Sequence, residues 1–239
     1  MQRLDSPRMW LKHSPSPLAR SLKTLLLAIR DWQVPVLPML TRGLYGLHLS
    51  ISQLWHSLSQ TLWYSPLFRS QLSGPAPKLN LYTGMPQILG ALDISVGERC
   101  RISGQTTFSG RSCGAERPRL SVGDNVDIGW QCSIAVGRRV VLGDNVRLAG
   151  RCMLAGYPGH PMDARRRAAG EPEDDHQVGD IVLERDVWLA SGVSVMAGVT
   201  IGQGSVIAAG SVVTKDIPAG VLAAGVPAKV VKQIVDVEG

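Results

Sequence analysis

Residues 183–218 read LERDVWLASGVSVMAGVTIGQGSVIAAGSVVTKDIP, and the spacing within this stretch decides the fold. A branched aliphatic residue recurs every six positions: Leu183, Leu189, Val195, Ile201, Ile207 and Val213. Four positions after each stands a small or apolar residue: Val187, Val193, Val199, Ser205, Ser211 and Ile217. A period of six fits neither a helix of 3.6 residues per turn nor a strand alternating in twos. It suits short strands joined by tight turns, each flat face pointing one large and one small side chain inward. Glycine and asparagine supply left-handed backbone at the corners. Three such faces close a coil of about 18 residues, and stacked coils bury one continuous apolar column.

The same register appears upstream as Val122, Ile128, Ile134, then Leu142, Leu148, Leu154, with a worn copy at Val96, Ile102, Phe108. The spacing therefore predicts an all-β solenoid of about five coils. Cys100, Cys132 and Cys152 fall on the small inward position, where cysteine packs as a small hydrophobe. Cys113 is off the register. With no CxxC pair, the four cysteines suggest neither a disulfide framework nor a zinc knuckle.

The motif [Leu/Ile/Val]-Gly-x-x-small-x is the hexapeptide repeat, and the sequence resembles the left-handed parallel β-helix acyltransferases. The register breaks between Leu154 and Leu183, where residues 155–181 read AGYPGHPMDARRRAAGEPEDDHQVGDI. An excursion of this length, at about 156–180, predicts a functional loop. Its Gly159-His160-Pro161 resembles the loop of the maltose, galactoside and polysaccharide O-acetyltransferase branch. That resemblance implies that His160 is the general base deprotonating an acceptor hydroxyl, and a neutral imidazole is chemically suited to this. His176 matches no motif and reads as surface. The Arg165–Arg167 run could attract substrate phosphates, and reads first as solvation of a loop that also holds Glu171, Glu173, Asp174 and Asp175.

Asp186–Ser191, Ala208–Pro218 and Ala223–Lys232 resemble the blocks that line the acetyl-coenzyme A groove in that branch. The resemblance implies that Ser191 and Ala209 meet the pantetheine arm, and that Thr214 and Lys215 continue it. It places Lys229 and Lys232 near the nucleotide end and Trp188 near the acetyl and acceptor end. For Ala209, Thr214 and Trp188, plain coil packing is the alternative, nearly equal to contact for Ala209 and weaker for Lys215. Lysines suit phosphates as point charges but lack the bidentate fork of arginine. The branch carries an acceptor-holding asparagine before the histidine loop. The matching stretch here is Ile128-Gly129-Trp130-Gln131, where Gln131 is the substitute available.

The 239 residues carry a net charge of +6 that is unevenly placed. Residues 1–78 hold nine basic and two acidic side chains, four of the six tryptophans and three of the 26 glycines. The remainder holds 16 basic and 17 acidic. The basic excess sits among leucines and tryptophans, which argues for a membrane surface rather than nucleic acid; packing of these helices against the β-helix or a trimer partner is the alternative. Leu18, Leu22, Leu25, Leu26, Ile29 and Trp32 form one helical stripe, and Leu44, Leu47, Ile51, Leu54, Trp55, Leu58 and Leu62 a second. Residues 43–68 lack formal charge but are too polar for a comfortable membrane span. No secretory signal is apparent in residues 1–20. Ser73–Pro77 reads as a hinge.

The expected organisation is an N-terminal basic amphipathic helical segment, residues 1–78, and a left-handed β-helix acyltransferase domain, residues 79–239. The expected activity is acetyl-CoA-dependent O-acetylation of a saccharide or lipid-linked glycan, as in polysaccharide biosynthesis, by direct attack on the thioester. The resemblance implies a homotrimer with its site between subunits. Peripheral attachment through residues 1–78 would place it in the cytoplasm at the inner face of the plasma membrane. The alternatives are N-acetylation of an amino sugar, transfer of a longer acyl chain from a carrier protein, and a membrane-anchored non-catalytic scaffold. A zinc enzyme on the same fold needs three histidines across adjacent coils, and the β-helix part has two. No metal is expected.

Overall fold

In a computed structural model, which describes residues 7–34, 36–114 and 116–234, short strands follow one another around three faces of a parallel β-helix. The first face runs from Asn80–Tyr82 through Arg147–Leu148 and Trp188–Leu189 to Val206–Ile207 and Val221–Gly225. The second runs from Gln87–Leu89 through Met153–Ala155 to Val212–Val213, and the third from Asp93–Val96 through Ile181–Leu183 to Thr200–Ile201. Five coils have all three strands. A sixth closes its third face with the bridge from Ile201 to Ile217. A final strand, Ala228–Gln233, folds back antiparallel on Val221–Gly225 and covers the open edge.

The inward column is the one the repeat specifies. Leu148, Leu189, Ile207 and Ala223 stack in register on the first face, and Leu154, Val195 and Val213 on the second. All are buried, as are Cys100, Cys132, Cys152, Ser205 and Ser211 at the small positions. Each buried Leu, Ile or Val contributes about 1.5–3 kcal/mol. Ser205 is satisfied in the column, its hydroxyl donating to Pro218 O at 2.6 Å.

Where the third face turns into the first, polar side chains stack as well. Asn125 donates to Asn145 Oδ1 and Asn145 to Asp186 Oδ1, both at 2.8 Å. All three residues have left-handed backbone, φ +53°, +59° and +63°. The ladder and its Arg185 contact hold the Asp186 carboxyl below the usual carboxylate range, with Asn145 the larger cause.

The chain divides into two compact units, residues 1–52 and residues 53–239. The first contains helices Pro7–His13 and Pro17–Asp31 and the start of helix Pro38–Ser59. The proline before each of the two longer helices is placed where a missing N–H costs nothing. The stripe read from the sequence is present in the second helix, with Leu18, Leu22, Leu25, Leu26, Ile29 and Trp32 exposed. Among the described residues, no helix is long and apolar enough to cross a membrane.

In the second unit, the end of that third helix passes into a π-helical turn, Gln60–Tyr64, and a short helix, Ser65–Arg69. Phe68 is buried and packs against Phe108 of the β-helix with ring centroids 6.3 Å apart. Ser73–Pro77 is not the hinge the sequence suggests. Ser73 N donates to Ile94 O at 2.8 Å and Ala76 is fully buried, so this segment is part of the cap on the first coil.

Candidate active site

The 156–180 loop leaves the fourth coil after Ala155, at the corner between the second and third faces, and returns at Ile181. Its neck is two glycines, with Gly179 N donating to Gly156 O at 3.1 Å. A Cβ on Gly156 would stand 2.8 Å from Ala135 O, so the close approach requires glycine there.

Inside the loop, Asp163 caps the helical turn Ala164–Ala168 by accepting from Arg165 N and Arg166 N at 2.9 Å each. Arg167 reaches back and donates to Pro161 O at 3.0 Å and Met162 O at 2.9 Å, the two carbonyls following His160. Arg166 pairs with Glu171 at 2.7 Å and Asp174 at 2.8 Å. Two of the three arginines are therefore tied into the loop by specific ion pairs and carbonyl contacts, rather than simply solvating it. Arg165 is exposed.

The loop is latched to the solenoid by Arg111, which sequence reading passed over. Arg111 follows the second-face strand Thr107–Gly110 and meets Glu173 in a buried ion pair, the side chains 7% and 5% exposed. The same guanidinium donates to Asp175 Oδ1 at 2.8 Å, and Arg138 donates to Asp175 O at 3.2 Å. Arg111 holds the Asp175 carboxyl below the usual carboxylate range. Arg111 and Glu173 lie 62 residues apart, and no local pattern announces the pair.

His160 is exposed, and among the described residues no hydrogen bond holds its ring. His176 is exposed in the turn Asp175–Gln177. Trp188, Ser191, Ala209, Thr214, Lys215, Lys229 and Lys232 are all exposed as well. Ser191, Ala209, Thr214 and Lys215 divide between two edges, and the other three lie on the first face and its returning strand. Ser191 and Ala209 stack at the corner between first and second faces, where Gly210 N donates to Ser191 O at 3.0 Å. Thr214 and Lys215 follow the last second-face strand, at the corner from which the His160 loop leaves two coils earlier. Trp188 points outward from the first face beside Arg147 and Val206, and Lys229 and Lys232 lie on the returning strand.

Along the first of these edges, Ala209 and Gly210 are exposed and leave the backbone open. Trp130 and Gln131 occupy the same corner two coils earlier. Arg151 lies over the Trp130 ring at 4.7 Å, and its Nε donates to Gln131 Oε1 at 3.3 Å. The Gln131 oxygen is thus engaged. Among the described residues, no three His, Cys, Asp or Glu side chains converge on a metal position.

This arrangement of stacked six-residue turns broken by one extruded loop defines a hexapeptide-repeat protein of left-handed β-helix fold. The family model described as bacterial transferase hexapeptide (six repeats) matches residues 180–215, and those residues belong to that family. A galactoside O-acetyltransferase of Escherichia coli (strain K12) is 37% identical over 142 residues, 59% of this chain and 64% of that protein. The chain thus spans less than two thirds of that curated relative. Among solved structures, a hexapeptide-repeat acetyltransferase from Vibrio cholerae superposes with TM-score 0.52 at 24% identity, over 81% of this chain and 94% of that one. A variant of AntD, an N-acyltransferase from Bacillus cereus, superposes with TM-score 0.56 at 16% identity, over 71% and 87%. These two share the fold.

Proposed function

We propose that the protein is an acetyl-CoA-dependent O-acetyltransferase acting on a saccharide or lipid-linked glycan, with His160 as general base. The observation that carries the reading is the Gly-His-Pro loop, braced by its own arginines so that His160 stands clear at a coil corner. The galactoside O-acetyltransferase named above supports the reaction class.

In the reaction, an acceptor hydroxyl attacks the thioester carbonyl while the neutral imidazole of His160 takes its proton. The new C–O bond forms, the C–S bond breaks, and coenzyme A leaves as a thiolate that recovers the proton. No acyl-enzyme forms. Ser191 and Ala209 border the pantetheine arm, Thr214 and Lys215 continue its path, Lys229 and Lys232 face the phosphates, and Trp188 borders the acetyl end.

The functional unit is a homotrimer. Ser191 and Ala209 lie across the second face from the His160 corner, and a six-residue face spans roughly 17–20 Å. A site between neighbouring copies, as in the branch that the loop resembles, lets a second chain supply the opposite edge.

The test is His160→Ala assayed with acetyl-CoA and a panel of hydroxyl and amine acceptors, with mass spectrometry of the products. Transfer should fall by about a thousand-fold or more while the circular dichroism spectrum is unchanged. Full activity in that variant defeats the proposal, and product on amine acceptors alone replaces O- by N-acetylation.

A further inference from the structure

The helix leading into the β-helix is turned inside out. In an ordinary surface helix the apolar stripe packs inward and the polar stripe meets water. Here, within the unit that begins at Gln53, the stripe facing the β-helix is His56, Gln60, Tyr64 and Phe68. Thr83 N donates to His56 Nε2 at 3.4 Å, and Gln60 Nε2 donates to Asn80 Oδ1 at 2.6 Å. Tyr64 and Phe68 then pack against the core.

The opposite face carries Leu54, Trp55, Leu58, Leu62 and Trp63, exposed by 62, 72, 46, 70 and 62%. A π-helical turn absorbs one extra residue, which re-phases a helix. The turn at Gln60–Tyr64 does this here, placing Leu62 and Trp63 beside Trp55 and Leu58 around a shallow apolar cavity of about 560 Å³. Contiguous exposed apolar surface of this kind marks an interaction site.

We infer that this face docks in the plane of an anionic lipid bilayer. Two observations select a bilayer as its occupant. No Lys, Arg, Asp or Glu interrupts residues 43–68, whereas two tryptophans, amphipathic side chains suited to the headgroup boundary, stand on its outer face. The unit of residues 1–52 is by itself a second amphipathic element of the same kind, with seven basic side chains against two acidic. The body from residue 79 onward is close to neutral, so the positive charge is confined to the apolar segments. That is the charge complement of an anionic leaflet. The inference is independent of the acetyl-transfer reading.

The test is flotation of the full chain with vesicles of phosphatidylcholine alone, and with roughly one third phosphatidylglycerol. The protein should float with the anionic vesicles, with partitioning reduced at high salt. Trp55→Ser combined with Trp63→Ser should cut partitioning by about ten-fold, leaving the size-exclusion profile and transfer to a soluble acceptor unchanged. Equal flotation of the double variant, or no flotation of the wild type, overturns the inference. A variant that changes oligomeric state overturns it too, by showing that the face lies between copies.

Discussion

The coils of residues 183–218 and the loop of residues 156–180 are adjacent in the chain and held by opposite means. In the coils, backbone N–H groups donate to the neighbouring coil and every sixth side chain enters an apolar column. That arrangement is strong but leaves no freedom, because each residue must match the one stacked on it. In the loop, seven arginine-to-carboxylate or arginine-to-carbonyl connections replace the column, made by Arg111, Arg138, Arg166 and Arg167. Such contacts tolerate an exposed histidine with no stacked neighbour. A base that must meet an incoming hydroxyl belongs in the second kind of structure, carried by the first.

The comparison breaks most severely at a coil glycine. A Cβ on Gly202 would stand 2.5 Å from Ala219 N and 2.8 Å from Ala219 Cα, both backbone atoms of the next turn. The coils must separate to admit it. Gly202→Ala should cost about 3 kcal/mol or more and lower the melting midpoint by about 10 °C, measured by calorimetry. A variant melting with the wild type would mean that the last coils slide freely.

Next in size is the latch. Arg111→Ala leaves Glu173 as an unpaired buried carboxylate, a loss of about 3–5 kcal/mol if the loop stays closed. The loop need not stay closed, because lifting it returns Glu173 to water. The expected outcome is therefore local. Tryptic cleavage at Arg165–Arg167 should accelerate by at least about ten-fold, and acetyl transfer should fall, with the melting midpoint nearly unchanged. A large drop in melting temperature would instead make the latch part of the coil stack.

What could be read in advance follows the same division. The column residues Leu183 to Val213, and the inward Cys100, Cys132 and Cys152, were visible because stacking imposes a period on the chain. Corner insertions blurred it: Leu189 pairs with Ile207 eighteen residues on, but Ile128 pairs with Leu148 at twenty and Ile102 with Ile128 at 26. The first coil, with Leu81, Ile88 and Ile94, was correspondingly faint. His160 was visible through its Gly-His-Pro neighbours. The Arg111–Glu173 pair was not, since two partners 62 residues apart leave no spacing to detect. The apolar stripe ahead of the β-helix was equally plain, but its direction was not. The orientation depends on His56 and Gln60 meeting Thr83 and Asn80, a contact no helical period encodes.

A smaller effect should come from Arg167→Ala, which frees the carbonyls of Pro161 and Met162 without touching the substrate. Losing two charge-assisted bonds at an exposed site amounts to roughly 1–2 kcal/mol of loop order. Turnover should drop several-fold while the KM for acetyl-CoA holds, since the residues proposed to line the donor lie outside the loop. Arg167→Lys should recover part of the turnover. A change in KM without a change in kcat would place Arg167 in the donor groove.

The smallest effect is the acid response of the latch. Arg111 depresses the Asp175 carboxyl, so the folded loop binds its proton less readily than the free chain does. A depressed carboxylate contributes stability above its ordinary value, about 4, and loses it as pH falls through the depressed folded value. The loop should therefore resist proteolysis equally at pH 7 and pH 5, and become more susceptible only below about pH 4. Loop cleavage normalised at each pH to cleavage of the unfolded chain by the same protease provides the measurement, and Asp175→Asn should abolish the normalised difference between pH 5 and pH 3. Acid opening that persists in Asp175→Asn would show that Asp175 is not the acid-sensitive member of the latch.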